Sequence, residues 1–422
     1  MLTSIRSTFI ACLISLTCVA VSFGQTIQDT VSIQPGYTHQ VWYSLSNGDV
    51  DAHINTDWDL AFQLRGFAGS ILINSKNNVR VWKANKAAAQ WTGMTTSDTT
   101  GVVNNPSYEL FNSDTSWDFG ALNRTNNTTN AFDLGWGVYD FATHVVTGDS
   151  VFFIRVGTTD VRKLLIESLN GLTYTYNFRV ANLDGSNEVV RTIAKADFPS
   201  KFFAYYSIVS DSSLDREPAY NSWDLVFSQY LTTLAGGPAT YKVSGVLSND
   251  SVFVAKAYPV DVNTASPISW TFRPEINAIG YDWKSYDNTT ATWTIADSTV
   301  YFVQDRQGDT WKLVFTGFGG SASGNFYFSK SPVAATGLDE VSTVRTLGLY
   351  PNPARESVRI VMELQTSEVL NIILTDISGR SIDFGQFPLA SGLQTLDLDI
   401  SGLTSGLYLV RAGASVSRLI VR

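Results

Sequence analysis

The sequence predicts an all-β protein, and two patterns carry this prediction. Short runs of valine, isoleucine, phenylalanine, tyrosine and tryptophan are separated by glycine, asparagine, aspartate and serine, as is typical of chains with many short strands. Some segments, such as residues 396–400, alternate strictly between apolar and acidic side chains, which is the period of a half-buried strand. Long helical periodicity is scarce, and only residues 84–90 are predicted to be helical.

The composition favours a folded core and excludes several classes of site. Apolar residues make up 44% of the chain and charged residues only 16%, which excludes intrinsic disorder. The net charge of −9 argues against nucleic-acid binding, since that requires clustered lysine and arginine. Both cysteines, Cys12 and Cys18, lie near the N-terminus, in a segment that we expect to be removed. The mature chain would then have no disulfide and no thiolate metal site.

Residues 1–24 are predicted to be a cleaved signal peptide. Arg6 is the only charged residue of this segment, an apolar stretch follows over residues 9–21, and small residues stand three and one positions before the expected cut. The apolar stretch is too short to span a bilayer as a membrane anchor. Cleavage would make Gln25 the mature N-terminus, and no later segment of the sequence has the length of a membrane-spanning helix.

Two blocks of sequence recur in the same order in the central region. Asp57–Phe62 recurs as Ser222–Phe227, displaced by 165 residues. Five residues of a second block recur 149 positions later: Val151, Phe153, Asp160, Lys163 and Leu164 return as Val300, Phe302, Asp309, Lys312 and Leu313. We therefore predict two related β units, residues 25–190 and 195–330.

A linker and a separate small domain are predicted to follow. Residues 331–345 are mostly small and polar, which is typical of a linker. Residues 346–422 contain about seven short strand patterns separated by turn signals, which predict an Ig-like β-sandwich.

Four motifs in residues 346–422 resemble those of the C-terminal sorting domain (type A) of type IX secretion cargo. The motifs are 350–353, 376–380, 406–411 and the terminal arginine. The sorting residues that the resemblance implies are Tyr350, Pro351, Asn352, Pro353, Asp376, Gly379, Arg380, Gly406, Tyr408 and Arg422. The resemblance implies export to the periplasm and then across the outer membrane by the type IX machinery, with release or surface attachment of the cargo. An ordinary Ig-like module is the alternative, and neither interpretation assigns these residues a catalytic role.

The central region resembles the HmuY-like family, through the Trp-Asp-Leu-x-Phe segments at 58–62 and 223–227 and the hairpin at 301–315. Members are all-β secreted or surface proteins, and the founding type captures haem. Haem iron takes His, Met, Cys or Tyr ligands, and the candidate haem ligands here are His39, His53, His144 and Met94.

The residue inventory argues against tight haem ligation. The second unit contains no histidine and no methionine, and Trp293 stands 149 residues after His144. We therefore interpret His144 as a strand position that takes a flat ring, and expect no low-spin, six-coordinate haem. The two tryptophans of the repeated segments, Trp58 and Trp223, are predicted to be core residues whose neighbouring aspartates bond nearby turn amides.

No catalytic motif stands out. The sequence has no Gly-x-Ser-x-Gly turn, phosphate-binding loop, zinc-ligand spacing or EF-hand, and nothing singles out a pair of carboxylates for glycoside hydrolysis. The sequence predicts a secreted or cell-surface, non-enzymatic protein that binds an unknown extracellular ligand, with no cofactor other than haem in question. A haem-acquisition protein and a secreted glycan-binding accessory protein are the alternatives.

Overall fold

The computed structural model describes residues 22–23, 25–234, 240–334, 344–364, 366–376, 380–413 and 415–422. Regular structure within these residues is almost entirely β, which confirms the predicted fold class. Helical structure in the same ranges is limited to one α-turn, α1 (Gly320–Ser323), and to short 3-10 turns at Pro35–Tyr37, Ser75–Asn77, Ala88–Gly93, Thr96–Thr99, Ala121–Asn123, Lys195–Asp197 and Pro267–Ser269. None of the helices described is long and apolar enough to cross a membrane.

The strands are numbered in chain order. The first sixteen are β1 (Ser22–Phe23), β2 (Ile27–Ser32), β3 (His39–Ser44), β4 (Gly48–Ile54), β5 (Leu60–Gln63), β6 (Ile71–Ile73), β7 (Arg80–Ala87), β8 (Glu109–Leu110), β9 (Gly137–Asp140), β10 (Val145–Gly148), β11 (Ser150–Val156), β12 (Asp160–Asn170), β13 (Thr175–Asn182), β14 (Val189–Ala194), β15 (Phe203–Ser207) and β16 (Ser212–Leu214). The next eight are β17 (Leu225–Thr233), β18 (Thr240–Ser248), β19 (Phe253–Ala257), β20 (Lys284–Asp287), β21 (Thr292–Ile295), β22 (Val300–Gln304), β23 (Thr310–Phe318) and β24 (Asn325–Ala334). The last seven are β25 (Val344–Tyr350), β26 (Ser357–Leu364), β27 (Glu368–Asp376), β28 (Ser381–Leu389), β29 (Gly392–Asp399), β30 (Gly406–Ala412) and β31 (Ser415–Val421).

The first β-sandwich, called the first sandwich below, packs a large sheet against a small one. The large sheet has the order β14-β13-β12-β11-β7-β8, with the hairpin β9–β10 paired to β12, and the small sheet has the order β16-β15-β5-β6. Fully buried side chains from both sheets, such as Phe62 and Ile71 from one and Phe152 and Phe178 from the other, fill the space between them. Burial of this apolar surface is the main stabilising contribution to the sandwich.

The second sandwich repeats this architecture. Its larger sheet has the order β24-β23-β22-β19, with β1 and β2 on the far side of β24, and its smaller sheet has the order β18-β17-β3-β4. Tyr43 and Phe227 from the small sheet pack against Phe328 from the large one. The ring of Trp283 stacks on Phe315 with centroids 3.9 Å apart, so the core is largely aromatic.

The two sandwiches exchange their first strands. β2 and the hairpin β3–β4 precede the first sandwich in sequence, yet they pair with β24 and β17 of the second. The corresponding strands β14 and β15–β16 pair with β13 and β5 of the first. A division of the chain at residue 195 would separate β2 from β24, β3 from β17 and β5 from β15. The ranges predicted for two consecutive units therefore do not correspond to the two sandwiches.

Three local predictions need correction or lie outside the described residues. The strand β7 continues to Ala87 before a 3-10 turn, so residues 84–90 are not one helix. Residues 331–334, predicted as the start of the linker, instead continue β24, because Ser331 and Pro332 pair with Lys312 and Trp311 of β23. Of the predicted signal peptide, only residues 22–23 are described, and they pair with residues 333–334.

Residues 344–422 form a third, smaller sandwich. One sheet has the order β25-β26-β29 and the other β28-β27-β30-β31. The side chains of β26 alternate between buried and exposed, as the sequence pattern predicted. Val358 and Ile360 from one sheet meet Leu374 and Val410 from the other in a core separate from those of the first two sandwiches.

Candidate ligand-binding cleft

The first Trp-Asp-Leu segment is fixed to a hairpin that lies far away in sequence. The backbone N–H of Asp59 donates to the Tyr206 carbonyl over 2.9 Å, and its carboxylate accepts the N–H of Ile208 over 2.7 Å. The Asn74 side chain donates to the carbonyl of Trp58 over 2.9 Å. Burial raises the pKa of Asp59, and the bonds it accepts oppose that rise.

The second Trp-Asp-Leu segment makes the same bonds with exchanged partners. The N–H of Asp224 donates to the Tyr43 carbonyl over 2.8 Å, and its carboxylate accepts the N–H of Leu45 over 2.8 Å. Asn249 donates to the Trp223 carbonyl over 2.7 Å, as Asn74 does in the first segment. The sequence predicts that these aspartates bond nearby turn amides, but each instead bonds the hairpin contributed by the other sequence repeat.

The small sheets of the two sandwiches pack back to back, and an aromatic pocket lies between them. We call it the inner pocket; its volume is about 100 Å³. Its aromatic lining residues are Trp42, Trp58, Trp117, Phe202, Phe203, Tyr205, Trp223 and Tyr230. The indole N–H groups of Trp58 and Trp223 have no hydrogen-bond partner within the described part of the chain. Most buried polar groups have partners, and these two indole N–H groups are exceptions.

Two buried neighbours in sequence, an arginine and a glutamic acid, lie beside the inner pocket. The guanidinium of Arg216 lies 5.0 Å from the ring centroid of Tyr205 and 5.5 Å from that of Trp42. Glu217 accepts the N–H of Phe202 over 3.0 Å and the hydroxyl of Tyr205 over 3.1 Å. Burial raises the pKa of Glu217 to about 8, which keeps its carboxyl group largely protonated at neutral pH.

A second and larger depression, the outer cleft, adjoins the inner pocket and shares Asp114 and Tyr230 with it. Its volume is about 1010 Å³, at the upper end of the range usual for ligand sites. The wall formed by residues 276–282 lies close to β18 because Gly245 has no side chain: a Cβ there would stand 2.6 Å from the Gly280 carbonyl oxygen.

A loop of the first sandwich closes one end of the outer cleft. The indole N–H of Trp117 donates to the Ser248 carbonyl over 2.9 Å, and the Thr115 carbonyl accepts the N–H of Ile276 over 3.1 Å. The Asp114 carboxylate accepts a hydrogen bond from the Thr232 hydroxyl. Both sandwiches therefore contribute to the cleft.

The outer cleft combines partly balanced charges with two polar atoms that have no partner among the described residues. Lys256 and Asp282 form an ion pair over 2.7 Å. The hydroxyl oxygen of Tyr230 and the Oε2 atom of Glu275 are buried and accept or donate no hydrogen bond among the residues described. Burial raises the pKa of Tyr230, so its hydroxyl stays protonated.

The structure does not bring the candidate haem ligands together. His39 and His53 lie on neighbouring strands, but His53 pairs with Gln40, so the two histidines point to opposite faces of the sheet. His53 lies 3.3 Å from Asp51, and Met94 is buried in a separate apolar cluster of the first sandwich.

The interpretation of His144 as a strand residue is wrong. His144 lies in the turn before β10, with a left-handed φ of 57°, and its Nδ1 is 2.8 Å from the Tyr139 hydroxyl. The residue in the matching turn before β21 is Ala291, with a φ of 53°. The second repeat has two extra residues between this hairpin and the next strand, so the fixed offset of 149 pointed to Trp293 instead. None of the four candidates lines the inner pocket or the outer cleft.

The cleft residues were not singled out by sequence patterns. Tyr230, Trp270 and Glu275 belong to no motif, and they meet only because segment 267–282 folds back over β18 and β19. Trp117 lies in a polar loop, and a large aromatic side chain in such a loop was the one available signal.

The sorting-motif residues of the third sandwich shape its turns. Asn352 donates to the Arg418 carbonyl over 2.7 Å and accepts the N–H of Ile420 over 2.8 Å, which ties the 350–353 turn to the last strand. The Tyr408 hydroxyl donates to the Thr404 carbonyl over 2.9 Å, the arrangement called a tyrosine corner in Ig-like domains.

The remaining motif residues lie at strand ends. The N–H of Arg380 donates to the Asp376 carboxylate over 3.0 Å, while Gly379 lies outside the described residues. Gly406 begins β30, and the N–H of Arg422 donates to the Ala354 carbonyl over 2.8 Å.

Residues 348–422 match the family model described as "Secretion system C-terminal sorting domain". The third sandwich is a type IX sorting domain. Its presence indicates that this protein is a type IX secretion cargo, found outside the cell or at the cell surface, and that the sorting domain engages the type IX secretion machinery.

The comparisons say little about the two larger sandwiches. No curated protein matches the chain. Among solved structures, dimeric latent PorU from Porphyromonas gingivalis matches with 12% identity and a TM-score of 0.16, over 66% of this chain and 26% of PorU. This chain thus spans about a quarter of PorU, and a TM-score this low carries no argument about fold or function. The HmuY-like interpretation of the central region stays a prediction.

Proposed function

We propose that the two larger sandwiches form an extracellular, non-enzymatic binding protein whose ligand occupies the outer cleft and reaches the inner pocket. The observation that carries this proposal is that the outer cleft is large enough for a ligand and is lined by a residue whose hydroxyl group has no partner in the described part of the chain. The outer cleft measures about 1010 Å³, and the Tyr230 hydroxyl at its junction with the inner pocket lacks a partner among the described residues. Leaving such a group buried costs about 1–3 kcal/mol, which a ligand would offset.

Binding without catalysis is supported by the way three of the four acids that line the two cavities are held. The Asp114 carboxylate bonds the Thr232 hydroxyl, and both carboxyl oxygens of Glu217 are bonded to Phe202 and Tyr205. Asp282 is paired with Lys256. Acids in fixed structural bonds are poorly placed to exchange protons with a substrate.

Haem capture, which the family resemblance implied, receives no specific support from this geometry. The histidines and Met94 line neither cavity. The inner pocket, at about 100 Å³, is smaller than the usual ligand site.

The proposal is tested with mature chain labelled with 5-fluorotryptophan, whose fluorine signals are assigned by single tryptophan-to-phenylalanine variants. Hemin, mixed neutral oligosaccharides, mixed tripeptides and a long-chain fatty acid are added separately. We expect one class to shift the signals of Trp58, Trp117 and Trp223, which line the inner pocket, and to leave Trp82 unchanged. If no class moves these three signals, the proposed site is wrong.

A further inference from the structure

We infer that the ligand of the outer cleft is a saccharide with no net charge, an inference that rests on the proposed binding function. The lining is rich in neutral hydroxyl groups. Eight of its side chains carry one: Thr115, Tyr230, Thr232, Thr233, Tyr258, Ser269, Thr271 and Tyr281. Hydroxyl groups both donate and accept hydrogen bonds, and they match a ligand whose edge is also made of hydroxyls.

The two atoms without a partner among the described residues, on Tyr230 and Glu275, also match a ligand that carries hydroxyl groups. The Oε2 atom of Glu275 is an acceptor when ionised, whereas the Tyr230 hydroxyl donates and accepts. A ligand hydroxyl can donate to Glu275, and another can bond Tyr230 in either sense. A purely apolar ligand would leave both buried groups unsatisfied, which disfavours its binding.

Aromatic side chains supply the apolar part of the site. Tyr258 is 58% exposed at the cleft, and Trp270 and Tyr281 are half-buried beside it. A pyranose ring carries C–H groups on its faces and hydroxyls around its edge. Rings of tyrosine and tryptophan can cover such a face while their polar atoms remain near the hydroxyls.

The charges of the lining disfavour a strongly ionic ligand. Asp114, Glu275 and Asp282 are balanced in part by Lys256 and Arg273, and Lys256 is already paired with Asp282. No histidine or methionine lines the cleft within the described ranges, so tyrosine is the one usual type of haem ligand in its lining.

The test uses the mature chain, residues 25–422, on an array of neutral and acidic oligosaccharides. Isothermal titration calorimetry with the oligosaccharide retained most strongly then measures the affinity. We expect a neutral oligosaccharide to be retained. Tyr230→Phe should weaken binding about tenfold, the effect of losing one hydrogen bond, and Tyr258→Ala should weaken it by a similar factor through loss of ring contact.

Tyr286 provides the matched control. It is 47% exposed on β20 and lies outside the cleft, so Tyr286→Phe and Tyr286→Ala should bind as the parent does. Binding left unchanged by Tyr230→Phe and Tyr258→Ala would overturn the inference. An array without retention, combined with tryptophan fluorine shifts caused by tripeptides, hemin or fatty acid, would overturn the saccharide and leave the binding function standing. Absence of both responses would overturn both.

Discussion

At the scale of single residues, two buried aspartates connect distant segments of the first two sandwiches. Asp59 and Asp224 each join a Trp-Asp-Leu segment to a hairpin more than a hundred residues away, through a carboxylate that accepts backbone N–H groups. Both side chains are almost completely buried. These carboxylates therefore stabilise the fold by accepting hydrogen bonds from buried N–H groups, since an unsatisfied buried N–H lowers the stability of the folded protein.

Removing either carboxylate should destabilise the protein. Asp59→Ala and Asp224→Ala each leave a buried N–H without its acceptor, that of Ile208 or of Leu45. We expect each variant to lose about 1–3 kcal/mol of unfolding free energy, measured by urea denaturation of the mature chain. Asp197→Ala, at an exposed position, is the control and should change stability little. Equal stability of all three variants would contradict the assigned role.

A buried acid makes stability depend on pH. The pKa of Glu217 rises from 4.5 to about 8 because of burial. The folded chain therefore keeps a proton that the unfolded chain releases, and the stabilisation from this group is full below about pH 4.5 and is lost as the pH rises to about 8.

Glu217→Gln isolates this effect, because glutamine resembles the protonated acid and does not titrate. We expect the parent protein to lose more unfolding free energy than the variant between about pH 5 and about pH 8. Urea denaturation at both pH values measures the two losses. A variant that loses stability as steeply as the parent would show that Glu217 does not titrate in this range.

At the scale of secondary-structure elements, the main feature is the exchange of strands between the first and second sandwiches. β2 and β3–β4 complete the second sandwich, and β14 and β15–β16 complete the first. Each sandwich therefore depends on strands that belong to the other sequence repeat. The exchange also sets the two small sheets back to back, and so it creates the inner pocket.

This topology predicts which fragments fold. Residues 57–220 contain every strand of the first sandwich, whereas residues 25–188, a fragment of the same length, lack β14–β16 and carry an unpartnered β2–β4. We expect cooperative urea unfolding from the first fragment and not from the second, because unpaired strands and an open core are unstable. Cooperative unfolding of residues 25–188 would show that the repeats can close on themselves.

At the scale of the whole molecule, a sorting domain follows two sandwiches that carry the cleft. The sorting domain has its own core and contacts the body through an ion pair between Arg418 and Asp250, 2.9 Å long. Separate cores allow the sorting signal and the ligand site to be altered independently.

When residues 346–422 are deleted, we expect the protein to stay in the periplasm with its first two sandwiches still folded. Cell fractionation measures the location, and urea denaturation of the retained protein measures its fold. Arg418→Ala, which removes only the ion pair to Asp250, is the control and should be secreted, since exposed pairs contribute little to stability. Normal secretion of the truncated protein would contradict the export role of this domain.

Local patterns in the sequence determined the fold class, the sorting domain and the recurrence of two related blocks. The alternation in β26 depends on neighbours a few positions away, so a single sequence reveals it. The same patterns were misleading where spacing had drifted, as at His144, where two extra residues changed the register of the repeats.

Only the tertiary structure decided which strands close each sandwich and where the cleft lies. The hairpins β3–β4 and β15–β16 both contain the Tyr-Ser-apolar segment that the buried aspartates bind. The local sequence therefore does not determine which sandwich each hairpin joins. The choice depends on packing between residues up to about three hundred positions apart, such as β2 against β24. The cleft follows from that choice, because Tyr230, Trp117 and Glu275 come from separate segments that long-range packing alone brings together.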